Sequence, residues 1–286
     1  MKPNVKMLSV GTLLVMSLYA CSTNAAMNNG ENISSSKYSV TSNEQVISET
    51  RKIGSFSEIE ASTGVDVVYY PTTEKPYIEV NLDAKNIKQL KTEVINGKLK
   101  IYFKKAKNIK RSNRPMVIVH GPTANSIEAE AAASISIEGD IAVNGNFELE
   151  ASSGGSIKIN HNVAVGGKID IDASSASSIV WNNNITAKEA DIETSSSANI
   201  KGGALIASQM TEVDVSSASK CSINNITTPL LDIDASSAAH AIFANGKVEM
   251  IKVDASSASK VDIANVVNKG NIMIDKSSGA KVKTPQ

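Results

Sequence analysis

The 286-residue chain is short of the residues that most catalytic chemistry needs. Its two cysteines, Cys21 and Cys221, cannot make a disulfide framework. Its three histidines, His120, His161 and His240, do not stand at zinc-ligand spacings. Serine is abundant, yet no Gly-x-Ser-x-Gly elbow occurs, and neither a Walker nor a dinucleotide-binding glycine motif is present. These absences speak against a serine hydrolase, a zinc enzyme or a nucleotide-dependent enzyme. Aromatic residues make up 4% of the chain, so the core has to come from Ile, Val, Leu and Ala. The formal net charge is zero, but it is unevenly spread. Residues 51–120 carry 14 Lys/Arg against 7 Asp/Glu, and residues 121–286 carry 12 against 19. A basic front and an acidic rear can simply screen each other.

What the chain does have is a repeat. Serine pairs recur at Ser152-Ser153, Ser174-Ser175, Ser195-Ser196, Ser216-Ser217, Ser236-Ser237, Ser256-Ser257 and Ser277-Ser278, and Ala132-Ala133 is taken as a degenerate first copy. The steps are 20, 22, 21, 21, 20, 20 and 21 residues. A period this short and regular predicts a solenoid with one coil per copy. Apolar residues stand three and five places before each pair, as at Ile171 and Ile169, with period two. A second strand follows through Ile157, Ile179, Ile200 and Cys221 and, two places on, through Trp181 and Phe243. Trp181, Phe243 and Cys221 are therefore expected in the core. A third, weaker strand passes through Val163, Ile185, Leu205 and Val266. The expectation is all-β: a right-handed parallel β-helix of about eight coils of 20–22 residues over residues 123–286, preceded by a smaller all-β module over 47–122. Coils stacked at about 4.8 Å would make a rod roughly 35–40 Å long. The small residues at each pair read as a corner where backbones stack, with serine hydroxyls free to bond each other or nearby amides.

Ahead of the repeat, residues 1–21 read as a processing segment. Lys2 and Lys6 precede the apolar run Met7–Tyr19, which ends at Ala20-Cys21. This resembles a bacterial lipoprotein signal, with Cys21 as the lipidated residue and acyl chains as the membrane anchor. Ser22 after the cysteine implies the outer membrane, with the facing side left open. Residues 22–46 are polar and aperiodic and read as a flexible tether. In the front module Asn96-Gly97 between two apolar runs predicts a hairpin, and Asn86–Leu90 one helical turn. The basic stretch Lys104–Arg114 reads as a solvated loop; it lacks the interleaved aromatics of a nucleic-acid site.

The outward positions are the most distinctive. Two places before the pairs stand Glu130, Glu150, Asp172, Glu193, Asp214, Asp234, Asp254 and Asp275. Four places before stand Glu128, Glu148, Asp170, Asp191, Glu212 and Asp232, then Lys252 and Met273. Parallel stacking turns these into two adjacent columns of like charge. Asp170, Asp172, Asp191, Glu193, Glu212, Asp214, Asp232 and Asp234 are the candidate ligand or cation face. The plainest reading is a soluble face that resists sheet-on-sheet aggregation. Ca²⁺ and a basic ligand are the alternatives, although no glycine-rich calcium-loop spacing appears.

The opening FSEIEASTGVDVVYY, the strand pair around INGKLKIYF, the MVIVHGP strand and the serine-rich coils resemble the putative auto-transporter adhesin, head GIN domain family. The resemblance covers about Ile53 to Val282 and supplies no catalytic residue. It implies a β-helical body, an envelope location and a role in adhesion. The expected function is thus a non-enzymatic surface lipoprotein with an unknown surface or matrix ligand, and no nucleic-acid partner or resident cofactor. A periplasm-facing structural or sensor lipoprotein is the second reading, and a β-helical polysaccharide-processing enzyme the third.

Overall fold

The structure is a computed structural model and describes residues 46–105 and 116–285. Cys21, residues 22–45 of the tether, and residues 106–114 of the basic stretch lie outside the described residues.

Alternating apolar and polar residues set the first strands. They are β1 (Val46–Lys52), β2 (Glu58–Ala61), β3 (Asp66–Pro71), β4 (Tyr77–Asp83), β5 (Leu90–Ile95), β6 (Lys98–Phe103), β7 (Met116–Gly121), β8 (Ser126–Ala129) and β9 (Ser134–Ile137). β5 and β6 form the expected hairpin, with Asn96 at φ 52° and Gly97 at φ 81° as a type I′ turn requires. β4 runs antiparallel to both β1 and β7. The stretch around Asn86 is a series of turns with one helix-like bond, from Ile87 N–H to Asp83 O at 3.1 Å, and Leu90 already opens β5. Arg51 ties this stretch down by donating to the carbonyls of Ile87 and Leu90 and to Thr92 Oγ1 at 3.0–3.1 Å.

From Ser126 to Lys283 the chain is a parallel β-solenoid of about eight coils with three faces, the last coil being described on two of them. Face A holds the strand before each serine pair and face B the strand after it; face C closes the coil. Ser178–Thr194, Asn199–Val215 and Lys220–Ala235 each run through all three faces as one bent strand. Inward side chains stack in register. Leu149, Ile171, Ile192, Val213, Ile233 and Val253 do so on face A. Ile157, Ile179, Ile200, Cys221, Ala241 and Val261 do so on face B. All of these are buried. Trp181 is 1% exposed and stacks directly on Gly202 of the next coil. A Cβ at Gly202 would come within 2.2 Å of the indole, so the glycine makes room for the chain's one tryptophan.

The corner between faces A and B explains the serine pairs. Its two central residues both take positive φ, for example Ser175 at 53° and Ala176 at 60°. The flanking residues close the turn, as Ser177 N–H donates to Ser174 O at 3.2 Å. This is a type I′ turn built without the usual glycine or asparagine in most coils. An L-residue in that region costs about 1–2 kcal/mol. Backbone bonds offset the cost: Ala176 N–H donates to Ser196 O of the following corner, and Ser174 N–H to Ala151 O of the preceding coil, both at 3.0 Å. Among the described residues no hydroxyl of a serine pair makes a hydrogen bond; those that do near the corner are Ser177 and Ser219, one place beyond the turn centre. The expected hydroxyl ladder is therefore a backbone ladder, and small side chains are there because bulky ones resist positive φ.

One register differs from expectation. The first coil was aligned on Ala132-Ala133, but Glu150 pairs with Glu128 and Ala151 with Ala129. The turn is Glu130-Ala131-Ala132-Ala133, with positive φ at Ala131 and Ala132. Glu130 therefore stands at the corner, Glu128 belongs to the column of Glu150, and Ser126 to that of Glu148. The correction also puts Ile127, not Ala129, in the core column under Leu149. The same pattern reaches further back. β2 and β3 pair in parallel with β8 and β9 around a corner where Thr63 and Gly64 have φ of 60° and 74°.

Candidate functional site

Face A brings all eight predicted carboxylates together. Asp172, Glu193, Asp214 and Asp234 form one column, and Asp170, Asp191, Glu212 and Asp232 the next. The first column continues to Glu60 at one end and Asp275 at the other. Each carboxylate stands one strand spacing, about 4.8 Å, from its like-charged neighbour. Partial burial, and after it the neighbouring charges, raise the proton affinity of Glu150, Asp172, Glu193 and Asp234. Asp214 is pushed up to about 6 by burial and by Asp234 and Glu212. Glu130 is raised to about 7, first by its hydrogen bond with Glu128.

Lysines clamp this face at intervals, and of them the sequence pattern placed only Lys252 in its columns. Lys98 and Lys100 on β6 reach Glu128 and Glu60 at 3.1 and 2.6 Å. Lys168 bridges Asp170 and Asp191 at 2.5 and 2.8 Å. Lys252, which looked like a break in the column, bridges Asp254 and Asp232 at 3.0 and 3.3 Å. Both bridging lysines hold their protons more tightly than an ordinary lysine because of these carboxylates. Between the clamps Glu193, Glu212, Asp214 and Asp234 make no ion pair among the described residues.

A groove of about 420 Å³ runs along the edge of face A. Asp214, Asp234, Asp254 and Asp275 line one side, and Ser216, Ser236, Ser256 and Ser277 the other. The first serine of each pair thus sets a hydroxyl beside the carboxylate column, a placement that only the fold reveals. Among the described residues no three His, Cys, Asp or Glu side chains converge as a metal site.

Two further groupings were not legible from spacing. Tyr70, His120 and Tyr77 stack across β3, β7 and β4, with ring centroids 5.2 and 4.5 Å apart, and His120 Nε2 lies 3.9 Å from Glu79. His161 stands 4.0 Å from Glu138 and 3.9 Å from Asp140. Cross-strand register creates both. Cys221 is fully buried, and burial raises its thiol to about 12.

A family model described as "Putative auto-transporter adhesin, head GIN domain" matches residues 55–241, from just before β2 to just past the sixth coil corner. The chain belongs to that family. The match takes in the first six corner turns, the core columns as far as Ala241 and all eight predicted carboxylates of this head GIN domain. Crystal structures of putative adhesins from Parabacteroides merdae and Parabacteroides distasonis share the fold. The first has a TM-score of 0.74 at 15% identity, covering 85% of this chain and 98% of its own. The second has a TM-score of 0.72 at 16% identity, covering 84% and 98%. A putative lipid binding protein from Parabacteroides distasonis is similar at a TM-score of 0.64 and 16% identity, covering 84% and 97%. No curated protein sequence matches. No helix among the described residues is long and apolar enough to cross a membrane.

Proposed function

We propose that this head GIN domain protein is a non-enzymatic lipoprotein of the cell envelope that uses the outward columns of face A for adhesion. The observation that carries this reading is the uninterrupted carboxylate column from Glu60 to Asp275, laid along one face of an adhesin-family solenoid. Repetition at every coil suits an extended, multivalent surface better than a single reaction centre. Serine hydroxyls beside the carboxylates add donors to acceptors, so the groove suits a cationic or hydroxyl-rich partner. Ca²⁺ is the cation this oxygen-rich face would take. Cys21 is the proposed lipidation site, and the outer membrane the proposed location.

The test is binding of the purified protein to cells and matrix with and without Asp172→Lys/Asp214→Lys/Asp234→Lys. Adhesion should be lost in the folded triple variant; normal adhesion would remove face A from the account. Depolymerisation of an acidic glycan by the wild type would overturn the non-enzymatic reading. Acyl-chain labelling that disappears in Cys21→Ser tests the anchor. Protease shaving of intact cells decides the facing side: cleavage means the surface, protection the periplasm.

A further inference from the structure

Face B carries the opposite charge. From the fifth coil onward its outward column reads Lys220, His240, Lys260 and Lys281, in register coil by coil. Lys201 stands beside it in the adjacent outward column, in register with Ser222. Lys201, Lys220, Lys260 and Lys281 are exposed and make no ion pair among the described residues. The acidic residue in this part of the face, Asp262, is already taken by Lys283 at 2.9 Å. Over overlapping coils, Glu193, Glu212, Asp214 and Asp234 on face A make no ion pair among the described residues. Among the described residues no ion pair crosses the corner between the two faces, so the cationic array and the anionic array stand side by side without pairing to each other.

We propose that the partner of face B is a second copy of this chain, whose unpaired face A carboxylates lie against the lysine column. The case is one of spacing as well as sign. Both arrays are generated by the same coil repeat, so both set their charges on rungs about 4.8 Å apart, with lysine on three of the four basic rungs and His240 on the other. Two rods laid side by side therefore match rung for rung without strain, which a polymer of unrelated period does not. The contact also answers the like-charge crowding within each column. Because the two surfaces differ, the contact is heterologous. Each docked copy leaves one free acidic and one free basic face, so association continues beyond a dimer. The proposal does not depend on adhesion to cells or matrix, since it concerns the purified protein alone.

The test uses the full chain carrying Cys21→Ser, so that acyl chains do not associate it, in sedimentation velocity. At an ionic strength of about 10 mM, where charges act over roughly 30 Å, multimers should grow with concentration; at about 1 M, where that reach is roughly 3 Å, they should dissociate to monomer. Lys220→Glu/Lys260→Glu/Lys281→Glu should abolish association, as should Glu193→Lys/Asp214→Lys/Asp234→Lys. Mixing the two variants should restore it, because each now offers the other a complementary face. A wild type that is monomeric at low salt overturns the proposal, as does a lysine variant that associates like wild type or a folded pair that stays apart when mixed. If circular dichroism shows either reversed variant unfolded, Lys220→Gln/Lys260→Gln/Lys281→Gln is the deciding protein, and undiminished association there overturns the proposal as well.

Discussion

On β2, Glu58 and Glu60 face lysines of β6 at 3.4 and 2.6 Å, whereas four to six coils further on Glu193, Glu212, Asp214 and Asp234 occupy the same outward columns with no ion pair among the described residues. The turns differ in the same sense. The β5–β6 hairpin places Asn96-Gly97 where positive φ is required, and most coils place Ser-Ala or Ser-Ser there. The early strands are thus held by residues chosen for one another. The coils tolerate locally unfavourable residues because every rung repeats the same backbone bonds above and below. Repetition substitutes for complementarity.

The largest effect should come from the core. Trp181→Ala removes a fully buried side chain wedged between coils and should cost about 3–5 kcal/mol in urea unfolding. Coils contact only their neighbours, so this lesion should also lower the denaturant slope by letting the stack unfold in parts. Phe56→Ala, which empties the space over Gly121 in the early strands, should cost a similar amount with an unchanged slope. Equal slopes in the two variants would erase the distinction between the regions.

The turns should respond with opposite signs. Gly97→Ala puts a Cβ at φ 81° and should destabilise by about 1 kcal/mol. Ala176→Gly relieves a residue at φ 60° but adds about 0.5–1 kcal/mol of unfolded-chain entropy, so stability should stay level or rise slightly. A clear loss in Ala176→Gly would mean that the corner methyl packs rather than merely fits.

The charges should show the smallest effects, again opposite. Glu60→Gln breaks the pair with Lys100 and should cost roughly 0.2–1 kcal/mol, while Asp214→Asn should stabilise at neutral pH. The pH dependence follows from the same asymmetry. A carboxyl whose folded pKa is raised opposes folding once ionised, and that opposition fades as pH falls through the folded value. Asp214 at about 6 and Glu130 at about 7 therefore predict a melting temperature that rises from pH 7 towards pH 5. Glu128 and Asp262 are lowered and act in the other direction, but below their ordinary values of 4.5 and 3.8. Asp214→Asn should flatten the rise, and a melting temperature that falls over this window would refute the electrostatic account of face A.

The sequence period revealed the coil, its core columns and its carboxylates because all three repeat with the chain. It misplaced the first coil by two residues because alanine there occupies both the corner and its flanks, and only positive φ at Ala131 and Ala132 distinguishes them. The lysine clamps, the Tyr70–His120–Tyr77 stack and the basic column were harder to see for a different reason. Each joins residues through cross-strand register, and register depends on where every intervening turn falls.

Those turns do not all carry the same duty. Faces A and B keep their pairing through every coil, while shifts in pairing fall between Trp181 and Asn184, between Ala187 and Glu189, and between Ile206 and Met210. Variation in coil length between 20 and 22 residues is taken up there, around face C. Face C and its borders act as an expansion joint. Extra residues inserted near Asn183 or Ser208 would bulge outward and leave the charged columns aligned, whereas one residue added at the serine corner would turn carboxylates inward along a whole rung. The architecture thus separates a seam open to change from a surface whose spacing is fixed.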